Sequence, residues 1–351
     1  MSGQGFASRC ALGVESSWGG AVAFTELVPF TSESINRAIA QIQSQYLDGK
    51  AGLRSLKNSS ISVVGALEGE MVYDEIAGGI IGIERLISSA LGTGTWDAAN
   101  SLTQYTLAEA LTKSYTFGFN KQTSVWEMAG AKVNNLKISG NAGEAITFSA
   151  DIIFRNLLRT GDTGIVNAAA AITGIAPTNV PSLVYFDDLI FRLADQSNGL
   201  VSGDRFSISG FELSINNNLS DSTFATIDST NTDIDLTLEP ERNGFREITL
   251  SITMPRYTAD TIFDWLNADT GLMADLLFTP TGGDLLSIFL PNIKVGGDPT
   301  APIGGAEIIE ASFNFTGLRN AGTNSYLTLT DTTAIAEELA IECKSNRTSA
   351  A

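Results

Sequence analysis

The sequence predicts a mainly β, α+β fold built as two tandem antiparallel β-sandwich or barrel domains, each flanked by one α-helix. Three observations carry this. Short runs of alternating apolar and polar residues recur along the chain, bounded by Gly, Pro, Asn and Asp. Four such runs, Tyr115–Phe119, Ser124–Met128, Ala131–Ile138 and Ile146–Phe154, return in the same order as Leu276–Thr279, Leu285–Phe289, Leu290–Val295 and Ile308–Phe315, with Val133–Ile138 matched by Leu290–Val295. Each quartet follows a single segment of helical periodicity. With 351 residues the chain is long for one domain and sufficient for two, each able to bury its own core.

Residues 1–30 have little periodicity and carry Trp18-Gly19-Gly20 and Val28-Pro29-Phe30, a composition that suits an arm leaving its own domain or a loosely packed leader. The first domain is set at 31–158. In it Ile35, Ile39 and Ile42 fit a short helix and a twisted strand equally. Asp48 to Asn58 is a Gly-containing basic loop in an otherwise acidic chain, either a solvated turn or a partner contact. Ser60–Tyr73 reads as a strand in which Gly65 and Gly69 mark a bulge or a close backbone approach. Ile80, Ile83, Ile87 and Leu91 recur at helical spacing, with Gly92 as the stop. Trp96–Leu111 fits a loop or a second short helix.

A linker at 159–184 is marked by Gly161, Gly164, the alanines 168–171, Pro177 and Pro181. The second domain, 185–318, opens with Phe186–Leu193. Phe206–Ile215 then alternates, with a slip of phase at Gly210 that suggests a bulge. Asn216–Thr232 has the polar, acidic composition of an exposed excursion, and Asp233–Leu238 resumes alternation. Phe245–Met254 is the clearest strand in the chain, and Ala259–Leu266 is the helical counterpart of Ile80–Leu91. Residues 319–351 form a C-terminal extension in which Ala334–Ile341 reads as an outer arm or a short closing helix.

Composition removes most chemistry. Twenty-one basic against 39 acidic residues give a net charge of −18, which argues against a nucleic-acid grip because phosphate binding needs clustered Lys and Arg. Cys10 and Cys343 alone make neither a disulfide framework nor a metal-binding spacing. The chain has no histidine, hence no Ser-His-Asp or Cys-His arrangement and no His-based zinc site. Gly92-Thr93-Gly94 lacks the spacing of a dinucleotide fingerprint. No catalytic, cofactor-binding or metal residue is assigned. Paired carboxylates are the remaining enzymatic option: Asp233 and Asp235 share one face of a strand, with Glu239 and Glu241 beyond, a pattern that marks a solvated sheet face more often than a catalytic pair or calcium site. Asp187 and Asp188 would point to opposite faces of a strand. Trp126, Phe148, Phe154, Phe289, Phe313 and Phe315 read as core. The N-terminus lacks the apolar stretch of a signal peptide, and the run Ile76–Leu91 is broken by Glu84-Arg85, so a cytoplasmic product without a membrane segment is expected.

The Trp18-Gly19-Gly20 segment leading to Val28–Ser34, the strand through Ser62-Val63-Val64-Gly65 to Tyr73, the single helix and the closing pair Val133–Phe154 resemble the major tail tube proteins of long-tailed bacteriophages, in their tandem-domain form. The resemblance spans nearly the whole chain and rests on pattern and order. It implies a structural, non-enzymatic virion protein assembled in the host cytoplasm. Three two-domain chains, alternatively a hexamer, would form a ring, and rings would stack into a hollow tube that passes double-stranded DNA without binding it specifically. Tape measure, tail terminator and distal tail proteins are the implied partners. In that setting Asp48, Lys50, Arg54 and Lys57 are expected at ring-to-ring contacts, and Asp233 and Asp235 in the lumen. Sandwich edges favour the same reading, since unpaired strand edges must be blocked or paired with a neighbour. Two other classes stand beside it: another viral shell or decoration protein, and a carbohydrate-active or carbohydrate-binding sandwich, which the scarcity of exposed-looking Trp and Tyr disfavours.

Overall fold

The computed structural model describes residues 5–46, 52, 55–73, 83–92, 94–175, 182–221, 236–280, 284–303, 308–320 and 335–344. The first half of the chain forms β1 (Arg9–Val14), β2 (Glu26–Val28), β3 (Ser32–Glu33), β4 (Asn36–Gln43), β5 (Leu56–Glu70), α1 (Ile83–Leu91), β6 (Thr95–Asp97), β7 (Leu102–Thr106), β8 (Tyr115–Asn120), β9 (Val125–Asn141), β10 (Thr147–Phe154) and β11 (Asn156–Arg159). After α2 (Ala169–Thr173) come β12 (Leu189–Asp195), β13 (Gly210–Asn216), β14 (Glu247–Met254), α3 (Thr261–Asn267), β15 (Leu272–Phe278), β16 (Leu285–Thr300), β17 (Ala311–Gly317) and β18 (Ala340–Lys344). The fold is mainly β, and the ladders among these strands are antiparallel.

One pairing network is drawn twice. In the first half β1–β8–β9–β11 make one sheet and β9–β10–β5–β4 the other. In the second half β12–β15–β16–β18 and β16–β17–β14–β13 repeat it strand for strand. The central strand of each unit therefore belongs to two sheets and must bend between them. That explains why the two strands expected over 124–138 are one strand, β9, and the two expected over 285–295 are one strand, β16. At Gly130 (φ +76°) the β8–β9 register slips, so the strand bulges instead of reversing. Pro291 sits in the matching irregularity of β15–β16, where its missing N–H breaks no regular ladder bond. A Cβ at Gly130 would lie 2.9 Å from that of Arg155 and 3.0 Å from Trp18 Nε1. Gly130→Ala is accordingly expected to lower stability by about 1–3 kcal/mol, read from the urea midpoint.

The halves are stitched at two seams, β13 against β9 and β18 against β7. One cluster of buried apolar side chains runs through both, from Cys10 to Cys343. Gly65 and Gly69 mark close approaches, not bulges: a Cβ on them would meet Ile35 Cα at 2.4 Å and the Phe148 ring at 2.7 Å, and the β5–β10 ladder passes both without a slip.

Several local expectations change. The undecided segment around Ile35–Ile42 is extended, as β3 and β4. Arg9–Val14, read as part of an arm leaving its domain or of a loosely packed leader, is β1, hydrogen-bonded between β2 and β8 of the same chain. Behind it the buried Glu15 carboxylate accepts hydrogen bonds from Gly19 N, Gly130 N, Ser114 Oγ and Thr116 Oγ1, which fastens the Trp18 loop to its own chain. Trp96–Leu111 holds the hairpin β6–β7 rather than a helix. Its Thr, Trp and Tyr residues favour strands, and Asp97 closes the turn by accepting from Ala99 N and Asn100 Nδ2. The phase slip at Gly210 is the start of β13 and not a bulge within it. Of Ala334–Ile341, the described residues 335–341 form no helix; Ala340 begins β18, which pairs with both β16 and β7 and so joins the halves.

Candidate assembly surface

The widest continuous surface is the sheet β4–β5–β10–β9–β13–β14–β17–β16, which crosses the seam between the halves. Side chains alternate across it as the pleat requires. Leu67, Ala150, Leu136, Leu213, Leu250 and Phe315 point into the core. The opposite face is polar, as a single row shows: Ser32, Glu68, Ser149, Lys137, Ser214, Thr249, Thr316 and Lys294 are successive cross-strand partners. Glu68, Glu70, Asp151, Glu212 and Glu247 stand exposed on this face. Two lysines temper them: Lys137 Nζ lies 3.7 Å from Glu212 Oε1, and Lys294 Nζ lies 2.7 Å from Asp269 Oδ1. Both pairs are solvated, so they add little to stability and leave the face acidic.

A second feature is the β4–β5 ribbon. Ile42 and Leu56 near its end are 59% and 52% exposed, and every residue of β4 after Arg37 is exposed. The outer edge of β4 carries no ladder among the described residues. The same holds for the C-terminal half of β16, which pairs with β17 on one side only.

Of the residues expected at ring contacts, Lys57 lies on β5, exposed and opposite Ile42; Asp48, Lys50 and Arg54 lie outside the described residues. So do Asp233 and Asp235. The described ends of the span that holds them fold back onto the first half. Asn217 Nδ2 donates to Ala90 O and Val133 O, and the Arg242 guanidinium donates to Glu109 O. Glu239 pairs with the buried ammonium of Lys132 at 2.7 Å. Residues 236–238, expected in a strand, form none. Asp187 and Asp188 lie in a 3-10 turn, Phe186–Asp188, so opposite strand faces do not describe them.

The carboxylates of the polar face escaped sequence reasoning, although a signal existed. Each occupies the polar position of an alternating strand: Glu68 and Glu70 flank Gly69, Asp151 lies between Ala150 and Ile152, and Glu212 between Phe211 and Leu213. What the sequence hides is that these strands are neighbours. A cleft of about 520 Å³ beside α3 is lined by Arg205, Phe206, Arg256 and Ile262 and has no carboxylate in its wall, which gives a two-carboxylate hydrolase mechanism nothing to work with there. Among the described residues no group of three or more His, Cys, Asp or Glu is placed to hold a metal ion, and no helix is long and apolar enough to cross a membrane. Burial pushes the Cys10 thiol well up, and the Glu33 carboxylate adds to it, so the thiol stays protonated.

The family described as phage tail tube protein matches residues 5–317 of the chain. No curated protein matches it.

Proposed function

The chain belongs to the phage tail tube protein family and is a structural component of a phage tail, and from that premise we propose that three chains close into a pseudo-sixfold ring, the rings stacking into a tube with an acidic lumen. The observation that carries this is the β13–β9 seam. It joins two copies of one structural unit edge to edge through different surfaces, a heterologous contact, the kind that builds a ring when its rotation closes. Closure also removes the free sheet edges that would otherwise promote aggregation. The polar face with Glu68, Glu70, Asp151, Glu212 and Glu247 then turns inward, with Asp233 and Asp235 contributing to the same acidic surface. Duplex DNA carries about one negative charge per 1.7 Å of axis, so such a wall repels a passing duplex and lets it slide. Asp48, Lys50, Arg54 and Lys57, at or beyond the end of the β4–β5 ribbon, meet the next ring. Tape measure, terminator and distal tail proteins bound the tube at its interior and ends.

Negative-stain images and native mass spectrometry of the purified protein test this. Stacked rings of three chains, each of 37.1 kDa, are expected. Rings of six chains would overturn the count. Protein that only coats a preformed shell, with no tubes of its own, would overturn the tube and favour the decoration reading.

A further inference from the structure

We infer that ring closure uses one particular seam: the outer edge of β3–β4 in one chain pairs antiparallel with the C-terminal half of β16 in the next, in a register that sets Asn36 opposite Thr300. This rests on the ring reading above and specifies the surface that makes it. The duplication supplies the argument, because β13 and β4 occupy the same place in their units, as do β9 and β16. Within one chain β13 is already seated on β9. Their counterparts, β4 and the end of β16, each carry a ladder on one side only among the described residues, as do β2, β6, β11 and β12, and of these it is β4 and β16 whose equivalents are already paired with each other within the chain.

The register follows from the bulges. Tyr115 pairs Ala131 and Phe117 pairs Met128, while Leu272 pairs Ile293 and Ala274 pairs Leu290, so Ala131 and Ile293 are counterparts. Two residues on, Val133 pairs Ile152 and Val295 pairs Phe315. Counting back along β10 and β17 makes Ser149 the counterpart of Ser312, and hence their partners Lys137 and Thr300 counterparts. On the other side Ile153–Val64–Asn36 corresponds to Thr316–Thr249–Ser214. Ser214 faces Lys137 within the chain, so Asn36 faces Thr300 of the neighbour.

This register has the shear of a barrel. The row through Ser149 and Lys137 crosses to β17 at Thr316, four residues from Ser312, the true counterpart of Ser149. Four residues of about 3.3 Å, displaced over four strand spacings of about 4.8 Å, is a tilt of about 35°. Strands in closed barrels tilt by about 35–45°. A flat array of the same units would leave each counterpart on its row and set Ser32 opposite Lys294.

The test compares two double variants in assembled protein. Asn36→Cys with Thr300→Cys is expected to cross-link neighbouring chains on oxidation, giving covalent dimers and trimers on non-reducing gels, since directly opposed Cβ atoms come within disulfide reach. Native Cys10 and Cys343 are buried and stay out of the reaction. Ser32→Cys with Lys294→Cys is expected not to cross-link. Tubes in which only the second pair links, or neither does, would overturn the seam while leaving the tube intact; unsubstituted protein that makes no rings would instead overturn the function. If the variants assemble poorly, hydrogen exchange on unsubstituted protein decides. Amides of residues 36–38, the counterparts of 214–216 in the seam within the chain, should slow about tenfold or more on assembly, and unchanged exchange there sinks the proposal.

Discussion

Arg54→Glu combined with Lys57→Glu is expected to give folded rings that do not lengthen into tubes. Lys57 stands on the β4–β5 ribbon, whose Ile42 and Leu56 are more than half exposed. A two-stranded ribbon is marginal by itself in water, so its persistence beyond the sheet makes sense if the tube covers it. The segment it leads into carries Lys50 and Arg54 in a chain with 39 acidic residues, and the equivalent span of the second unit carries Asp221 and Asp228 besides the two aspartates proposed for the lumen. In the proposed stacking, opposite charges at equivalent places set which end of a ring meets the next. Reversing two cations replaces attraction by like-charge contact, which costs several kcal/mol where the groups meet, and the proposed ring of three chains repeats it three times. The closing edge at Asn36 lies far along the ribbon from Lys57, so rings should survive. The defect should fade at about 1 M salt, where the Debye length falls to about 3 Å. Tube length in electron micrographs at low and high salt is the measurement; full-length tubes at low salt would remove these residues from the contact.

What was legible in the sequence was whatever repeats locally. Alternation placed β5, β10, β14 and β17, helical spacing placed α1 and α3, and duplication showed in the order of strands because each copy kept its own hydrophobic pattern. What was not legible depends on long-range partners. Nothing near Gly130 says whether the chain turns back or bends into a second sheet; that is decided by β8 on one side and β10 on the other. The short strands β7 and β18 have weak patterns alone and exist because they pair with each other across more than two hundred residues of sequence. The acidic face was missed for the same reason. Glu68, Asp151 and Glu212 are ordinary outward positions on separate strands, and only the seam between the halves gathers them onto one surface, whereas the adjacent pair Asp233 and Asp235 stood out merely by proximity.

Asp275→Ala is expected to cost about 3–5 kcal/mol, a large share of the roughly 5–15 kcal/mol that holds a domain folded. Asp275 on β15 is 0% exposed. Its Oδ2 accepts from Arg192 Nη1 of β12 at 3.0 Å and its Oδ1 accepts from Ser287 Oγ of β16 at 3.0 Å, so one carboxylate ties three adjacent strands. Truncation leaves the Arg192 guanidinium, 5% exposed, buried beside a void without its counter-charge, and that desolvated cation is the main term. The same reasoning predicts a rescue. Arg192→Leu with Asp275→Leu removes both charges together and should recover most of the loss, because apolar replacement of a whole buried pair is often neutral. Urea midpoints of the single and double variants measure both effects, and a single variant within about 1 kcal/mol of the parent would show that the pair contributes little. The pair lies in the sheet β12–β15–β16–β18, away from the acidic face and from the Asn36 edge. Variants that fold should therefore still build tubes, which separates a loss of stability from a loss of assembly.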